Sequence, residues 1–220
     1  MSKLEAVVWD MDGVLVDTGE FHFKAWKTVL ARYEVAFSRE MFTKTFGMNN
    51  EGILKSVLGD RYSDELYKII DRQKETNFRE ILHGNVTLSP GVISLLEQVR
   101  NASIPQAIAS SAPQENIDAV VSELNLQPYF QTTISAANMP GKPDPTVFLT
   151  AAQELGVSPS HCIVVEDAIA GVRAARHAGM TCIAVTTTNP AKELQAADLV
   201  VGRLSKLNLQ DLQNLINNRS

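Results

Sequence analysis

Cysteine is scarce in this chain: its 220 residues include two, Cys162 and Cys182, each inside an apolar run that reads as a strand. That pattern favours buried thiols over a disulfide framework or a cysteine metal site. The four histidines show no His-Glu-x-x-His or other paired spacing, so zinc is not expected. No apolar stretch approaches the ~20 residues that cross a bilayer. Met1-Ser2-Lys3-Leu4 leads directly into an apolar run without a signal-peptide pattern, so the expected location is cytoplasmic. Basic runs are absent and the net charge is −5, which argues against nucleic acid or an anionic membrane as a partner; no protein partner is evident. There is no Gly-x-Gly, hence no dinucleotide fingerprint. Gly141-Lys142 is not a P-loop, because no glycine lies five residues before Gly141 and Pro143 stands in place of Ser or Thr. Aromatics make up only 6%, yet 45% hydrophobic residues supply a core for one large or two small domains.

Against these absences stands one dense feature, Asp10-Met11-Asp12-Gly13-Val14, at the end of the apolar run Leu4 to Trp9. A strand repeat of two points Asp10 and Asp12 to the same side, and Gly13 lets the chain turn away beside them. Paired carboxylates suit magnesium, nucleophilic attack or acid/base work, although Asp and Gly also end strands as plain turn formers. Three later segments tip the balance. Ala107 to Ser111 ends in the hydroxyls Ser110 and Ser111, Gly141-Lys142-Pro143-Asp144-Pro145 sets a lysine in a rigid turn, and Ile163 to Asp167 ends in Glu166 and Asp167. Each has a simpler alternative: loop capping for the serines, a solvated turn for the lysine, and helix N-terminal acids for Glu166 and Asp167. Ligands of open α/β sheets bind outside the carboxyl ends of the strands, where these groups would converge.

The periodicity predicts an α/β protein. Glu20 to Tyr33 reads as an amphipathic helix, with Phe21, Ala25, Thr28, Val29 and Arg32 tracing a mixed face. Ser38 begins a short helix, Asn49 or Asn50 caps one to Leu58, and Ser63 caps a longer one through Leu82. From Ser89-Pro90-Gly91 onward, helices near 91–102, 113–125, 144–156 and 168–179 alternate with strands near 105–110, 131–135, 161–165 and 181–186. Such alternation is the signature of a parallel sheet covered on both faces. Leu199-Val200-Val201 reads as a brief last strand, and a helix over Leu209 to Asn217 closes the chain.

The four motifs, in this order over nearly the whole chain, resemble the haloacid dehalogenase superfamily of phosphotransferases, in the branch that includes β-phosphoglucomutase and many small phosphatases. The resemblance implies a Rossmann-like parallel sheet core over 1–17 and 85–220, with a helical cap over 18–84 that closes across the site by hinges near Asp17-Thr18 and Gly84 to Leu88. It implies that Asp10 is the nucleophile and a Mg2+ ligand, and that Asp12 is the general acid and base and a ligand through its backbone carbonyl. Asp167 and Glu166 complete the metal set, Glu166 either as ligand or as an acceptor behind it. Ser110 with Ser111 and Lys142 receive the phosphoryl group. Ala168 stands where many relatives have Ser or Thr.

In the cap, Asp17 to His22 and Trp26 resemble the start of the β-phosphoglucomutase cap, and His22 is the cap residue expected to reach the active site; an ordinary packing histidine is the equal alternative. Phe46 and Asn50 stand where that family uses a lysine and an arginine. A mutase must grip a second phosphate, and Asn50 lacks the charge to do so. The expected function is therefore a Mg2+-dependent phosphatase of a small phosphorylated metabolite, with a sugar phosphate in view. A β-phosphoglucomutase-like mutase is the alternative, and an inactive binding or regulatory protein of the same fold the third.

Overall fold

The computed structural model describes residues 3–45 and 48–218; Phe46 of the cap loop lies outside them. The chain divides into two compact units, Thr18–Asn85 and Met1–Asp17 with Val86–Ser220.

The smaller unit is helical: α1 (Gly19–Ala31), α2 (Arg39–Thr45), α3 (Asn50–Leu58) and α4 (Asp64–Leu82). Side chains start three of these helices. Ser38 Oγ accepts from Met41 N–H at 3.2 Å, Asn49 Oδ1 from Gly52 N–H at 2.8 Å and Ser63 Oγ from Leu66 N–H at 3.1 Å. Each such cap is worth about 1 kcal/mol. The expected first helix runs to Tyr33, but α1 stops at Ala31: the Val35 N–H turns back to the Leu30 carbonyl and Glu34 takes a left-handed φ of 59°. Its buried face also differs from the expected one. Phe23, Ala25, Trp26, Val29 and Leu30 point inward while Thr28 and Arg32 are exposed, because the two large aromatics decide which side packs. This face meets Ile53, Leu54 and Ile70 in the unit's own core.

The larger unit is a six-stranded, all-parallel sheet in the order β3-β2-β1-β4-β5-β6, built from β1 (Ala6–Trp9), β2 (Gln106–Ser110), β3 (Thr132–Ser135), β4 (Cys162–Glu166), β5 (Thr181–Val185) and β6 (Leu199–Val201). Its helices are α5 (Val92–Asn101), α6 (Gln114–Glu123), α7 (Thr146–Glu154), α8 (Ile169–His177) and α9 (Leu209–Asn217). This is the α/β architecture the alternating pattern predicts. Strands β1, β2, β4 and β5 are buried along their whole length, which explains why their centres read as apolar runs without alternation. One sheet face carries small residues, among them Ala6, Ala107, Ala109 and Ala184. It packs with Ala151 and Ala152 of α7 and Ala174 and Ala175 of α8, so the helices sit close to the sheet. Cys162 and Cys182 are buried in the same layer, and burial pushes the Cys162 thiol up to about 12.

The chain steps outward from β1 to β2 to β3 and then crosses to β4 on the other side of β1. The strand order therefore reverses between β1 and β4, and the crevice at their carboxyl ends is the place where such sheets hold ligands. Among the described residues no helix is long and apolar enough to cross a membrane.

Candidate active site

Asp10 directly follows β1. Its N–H donates to the Val165 carbonyl at 2.9 Å, so the residue is still tied to β4 while its side chain lies buried at the switch point. The chain then coils tightly: the Met11 carbonyl accepts from the N–H groups of Val14, Leu15 and Val16, and Gly13 N–H donates to the Val16 carbonyl at 2.7 Å. Gly13 has φ +82°, and a Cβ at this position would overlap the Asp167 carboxylate. Glycine is thus required both for the turn and for the approach of Asp167. Asp12 bridges to Val16 and is half-buried.

Lys142 comes from the loop between β3 and α7, and its Nζ lies 2.5 Å from Asp10 Oδ1 and 2.6 Å from Glu166 Oε1. The other Glu166 oxygen accepts from the N–H groups of Asp167 and Ala168, both at 2.7 Å. This carboxylate ties down the two residues that lead into α8, whose N-cap Ala168 has no side chain able to cap it. A Cβ at Gly171 would overlap the Glu166 carboxylate, so the small first turn of α8 is what admits it. Ser110 ends β2, buried, with Oγ accepting from Ala112 N–H at 3.1 Å; Ser111 beside it is exposed.

Asp10, Glu166 and Asp167 each offer an oxygen within 4.8 Å of the others. Three buried carboxylates around the Lys142 ammonium leave excess negative charge, and the acids respond to it. Burial, reinforced by Glu166 and Asp167, holds Asp10 well above the usual carboxylate range against the pull of Lys142. Asp167 is pushed up to about 7 by burial and then by Glu166, with a hydrogen bond to Thr188 and the Lys142 charge working the other way. Burial alone would lower the Lys142 ammonium, but Asp10 and then Glu166 hold it above the usual lysine range.

His22 and Asn50 belong to the smaller unit, where they join one polar network. Lys74 Nζ donates to His22 Nδ1 at 3.0 Å and to Glu75 Oε1 at 2.7 Å, while Asn50 Nδ2 donates to Glu75 Oε1 at 2.6 Å and to Asp71 Oδ1 at 2.7 Å. His22 also stacks on Phe78, with ring centroids 4.2 Å apart. Burial, helped by Glu75, raises Asp71 against the Asn50 bond and the Lys74 charge.

Asp71, Lys74, Glu75, Thr188 and Asn189 are not among the residues the sequence singles out. Thr188 bonds the Asp167 side chain and Asn189 Nδ2 donates to the Asp167 carbonyl at 3.1 Å. Thr188 and Asn189 did leave a signal: Thr186-Thr187-Thr188-Asn189 follows β5, hydroxyls after an apolar run, as serines close β2. Lys74 and Glu75 sit one turn past buried Ile70 and before buried Phe78, so a lysine falls on the inward stripe of α4.

Residues 7–185 match the family described as haloacid dehalogenase-like hydrolase. Over 215 residues the chain is 34% identical to β-phosphoglucomutase of Bacillus subtilis, covering 94% of this chain and 93% of that protein. Over 204 residues it is 34% identical to a phosphorylated carbohydrates phosphatase of Thermotoga maritima, covering 90% of this chain and 93% of the relative. The crystal structure of a HAD hydrolase, family IA, variant 3, from Entamoeba histolytica superposes with a TM-score of 0.90 at 30% identity, over 97% of this chain and 100% of that one. The ordered motifs, the fold around them and these likenesses agree, and the chain belongs to the haloacid dehalogenase-like hydrolase family.

Proposed function

We propose that the protein is a Mg2+-dependent phosphatase that hydrolyses a small phosphorylated metabolite, with sugar phosphates as the favoured class, through an aspartyl-phosphate on Asp10. The observation that carries this reading is the buried grouping of Asp10, Lys142, Glu166 and Asp167 at the switch point of the sheet. Hard oxygen donors whose negative charge exceeds that of the one buried ammonium among them fit a divalent cation such as Mg2+. Asp10 and Asp167 would hold it with the Asp12 backbone carbonyl. Glu166, engaged by Lys142 and two backbone N–H groups, would support them from behind. When bound, the ion supplies positive charge that offsets the negative phosphoryl oxygens.

In the first half-reaction an Asp10 carboxylate oxygen attacks phosphorus, the bond from phosphorus to the ester oxygen breaks, and Asp12 gives its proton to the departing alcohol. In the second, Asp12 takes a proton from water, whose oxygen attacks phosphorus while the bond to Asp10 breaks, releasing phosphate and restoring both aspartates. Lys142 offsets phosphoryl charge. Ser110, whose Oγ accepts from Ala112 N–H, keeps its hydroxyl proton to donate.

The likeness to β-phosphoglucomutase favours a second reading, a sugar-phosphate mutase. Against it, Asn50 spends its amide on Asp71 and Glu75, so carboxylates surround the position where a mutase carries a phosphate-gripping arginine. Phosphate release from a panel of sugar phosphates, nucleotides and pyrophosphate, with and without Mg2+, tests the proposal. β-Glucose 1-phosphate is assayed in parallel for glucose 6-phosphate. Metal-dependent release supports the phosphatase, and glucose 6-phosphate without matching phosphate release would establish the mutase.

A further inference from the structure

A lysine that reaches from a loop into a buried acid cluster needs its backbone held. His177, the last residue of α8, places Nδ1 3.0 Å from the Pro143 carbonyl oxygen, one residue beyond Lys142. A carbonyl only accepts, so Nδ1 carries the proton and donates. The rest of the segment is closed on itself. Asp144 N–H donates to the Gly141 carbonyl at 3.1 Å, and Asp144 Oδ1 accepts from the Thr146 N–H at 2.9 Å and hydroxyl at 2.5 Å. The Thr146 bonds hold the Asp144 carboxyl below its usual range, and the nearby His177 adds to the effect.

The stretch from the end of β4 through α8 therefore grips the Lys142 segment at both ends. Ahead of the helix N-terminus Glu166, the last residue of β4, holds the N–H groups of Asp167 and Ala168 and takes the Lys142 ammonium, and at the helix C-terminus His177 takes the Pro143 carbonyl. The nine residues of α8, His177 the last of them, extend roughly 13 Å along the axis. We propose that His177 is a positioning residue: its bond to Pro143 latches the loop onto α8 and sets the Lys142 ammonium between Asp10 and Glu166. The catalytic consequence rests on the reading of Lys142 as the group that meets the transferred phosphoryl. The latch itself does not.

The test therefore has two arms. Hydrogen exchange over residues 139–146 of the full-length protein, without substrate, reads the latch: His177→Ala speeds exchange there, and His177→Asn, whose Nδ2 stands near the position of Nδ1, restores it. His177 is exposed, so these variants are expected to fold; His177→Gln replaces the alanine variant if that one does not. Hydrolysis of p-nitrophenyl phosphate with Mg2+ reads the consequence. His177→Ala lowers kcat about three- to tenfold, the scale of one hydrogen bond, with KM and thermal midpoint nearly unchanged. In a Lys142→Ala background it lowers kcat no further. Unchanged exchange over 139–146 overturns the proposal, as does an equal loss of kcat with and without Lys142. If the wild-type protein cleaves no phosphate ester, the functional reading fails while the exchange arm still decides the latch.

Discussion

Replacing Lys142 by methionine removes one ammonium while keeping most of the stem's volume. That ammonium lies 2.5 Å from one Asp10 oxygen and 2.6 Å from one Glu166 oxygen. With each carboxylate charge spread over two oxygens, the charge centres stand about 4 Å apart, and at an effective dielectric near 20 each pair attracts by about 4 kcal/mol. Part of that attraction is offset by the cost of burying the ammonium, so the net loss on leaving the carboxylates uncompensated is about 3–5 kcal/mol. The loss depends on pH with a definite sign. Without Lys142 the folded-state pKa of Asp10 rises further above its unfolded value, so stability is kept at low pH and lost as pH rises. The gap between variant and wild type is thus largest near pH 8 and smallest near pH 5. The chain has two tryptophans, Trp9 in the larger unit and Trp26 in the smaller, so a Trp26→Phe background leaves Trp9 to report on the sheet. In that background without Mg2+, Lys142→Met melts about 10 °C lower at pH 8 and much closer to wild type at pH 5. Phosphate release falls about a thousandfold. Equal melting at both pH values together with retained turnover would refute the assignment of Lys142 as the compensating cation.

Other outcomes follow from single contacts. Gly171→Ala forces the Glu166 carboxylate off the start of α8, so it lowers turnover and loosens the Lys142 contact although it adds only a methyl group; unchanged kinetics would show that Glu166 is not held as described. Asp167 rises from an ordinary 3.8 to about 7 in the fold, so its contribution to the stability of the metal-free protein is complete below about 4 and fades as pH climbs through 7. Mg2+ displaces that proton and should raise the thermal midpoint more at pH 8 than at pH 5.5; the reverse order would contradict the site. Asn50→Ala leaves Asp71 and Glu75 without their shared donor and destabilises the smaller unit by about 1–3 kcal/mol, read from the Trp26 fluorescence melt.

Strands β1, β2, β4 and β5 were legible in the sequence because burial on both faces leaves three or four apolar residues in a row. The starts of α3 and α4 were legible because Asn49 and Ser63 act on backbone only three residues away. Acidic and hydroxyl groups at strand ends marked Asp10, Ser110, Glu166 and Asp167, since a parallel sheet gathers its strand ends on one side. What stayed hidden depends on contacts between distant segments. Thr188 matters because β5 lies beside β4, His177 because α8 ends beside Pro143, and Lys74 because α4 turns that position inward. The face of α1 was misjudged because spacing counted Thr28 and Arg32 equally with residues that bury far more surface, Phe23 and Trp26.

The most direct test of the account is covalent. The wild-type protein is mixed with Mg2+ and radiolabelled acetyl phosphate as a small phosphoryl donor, quenched in acid within a turnover, digested and mapped. The account predicts a hydroxylamine-labile phosphate on the peptide containing Asp10, absent from Asp10→Asn. Turnover with no label on the protein, or a stable label on Ser110, would contradict it.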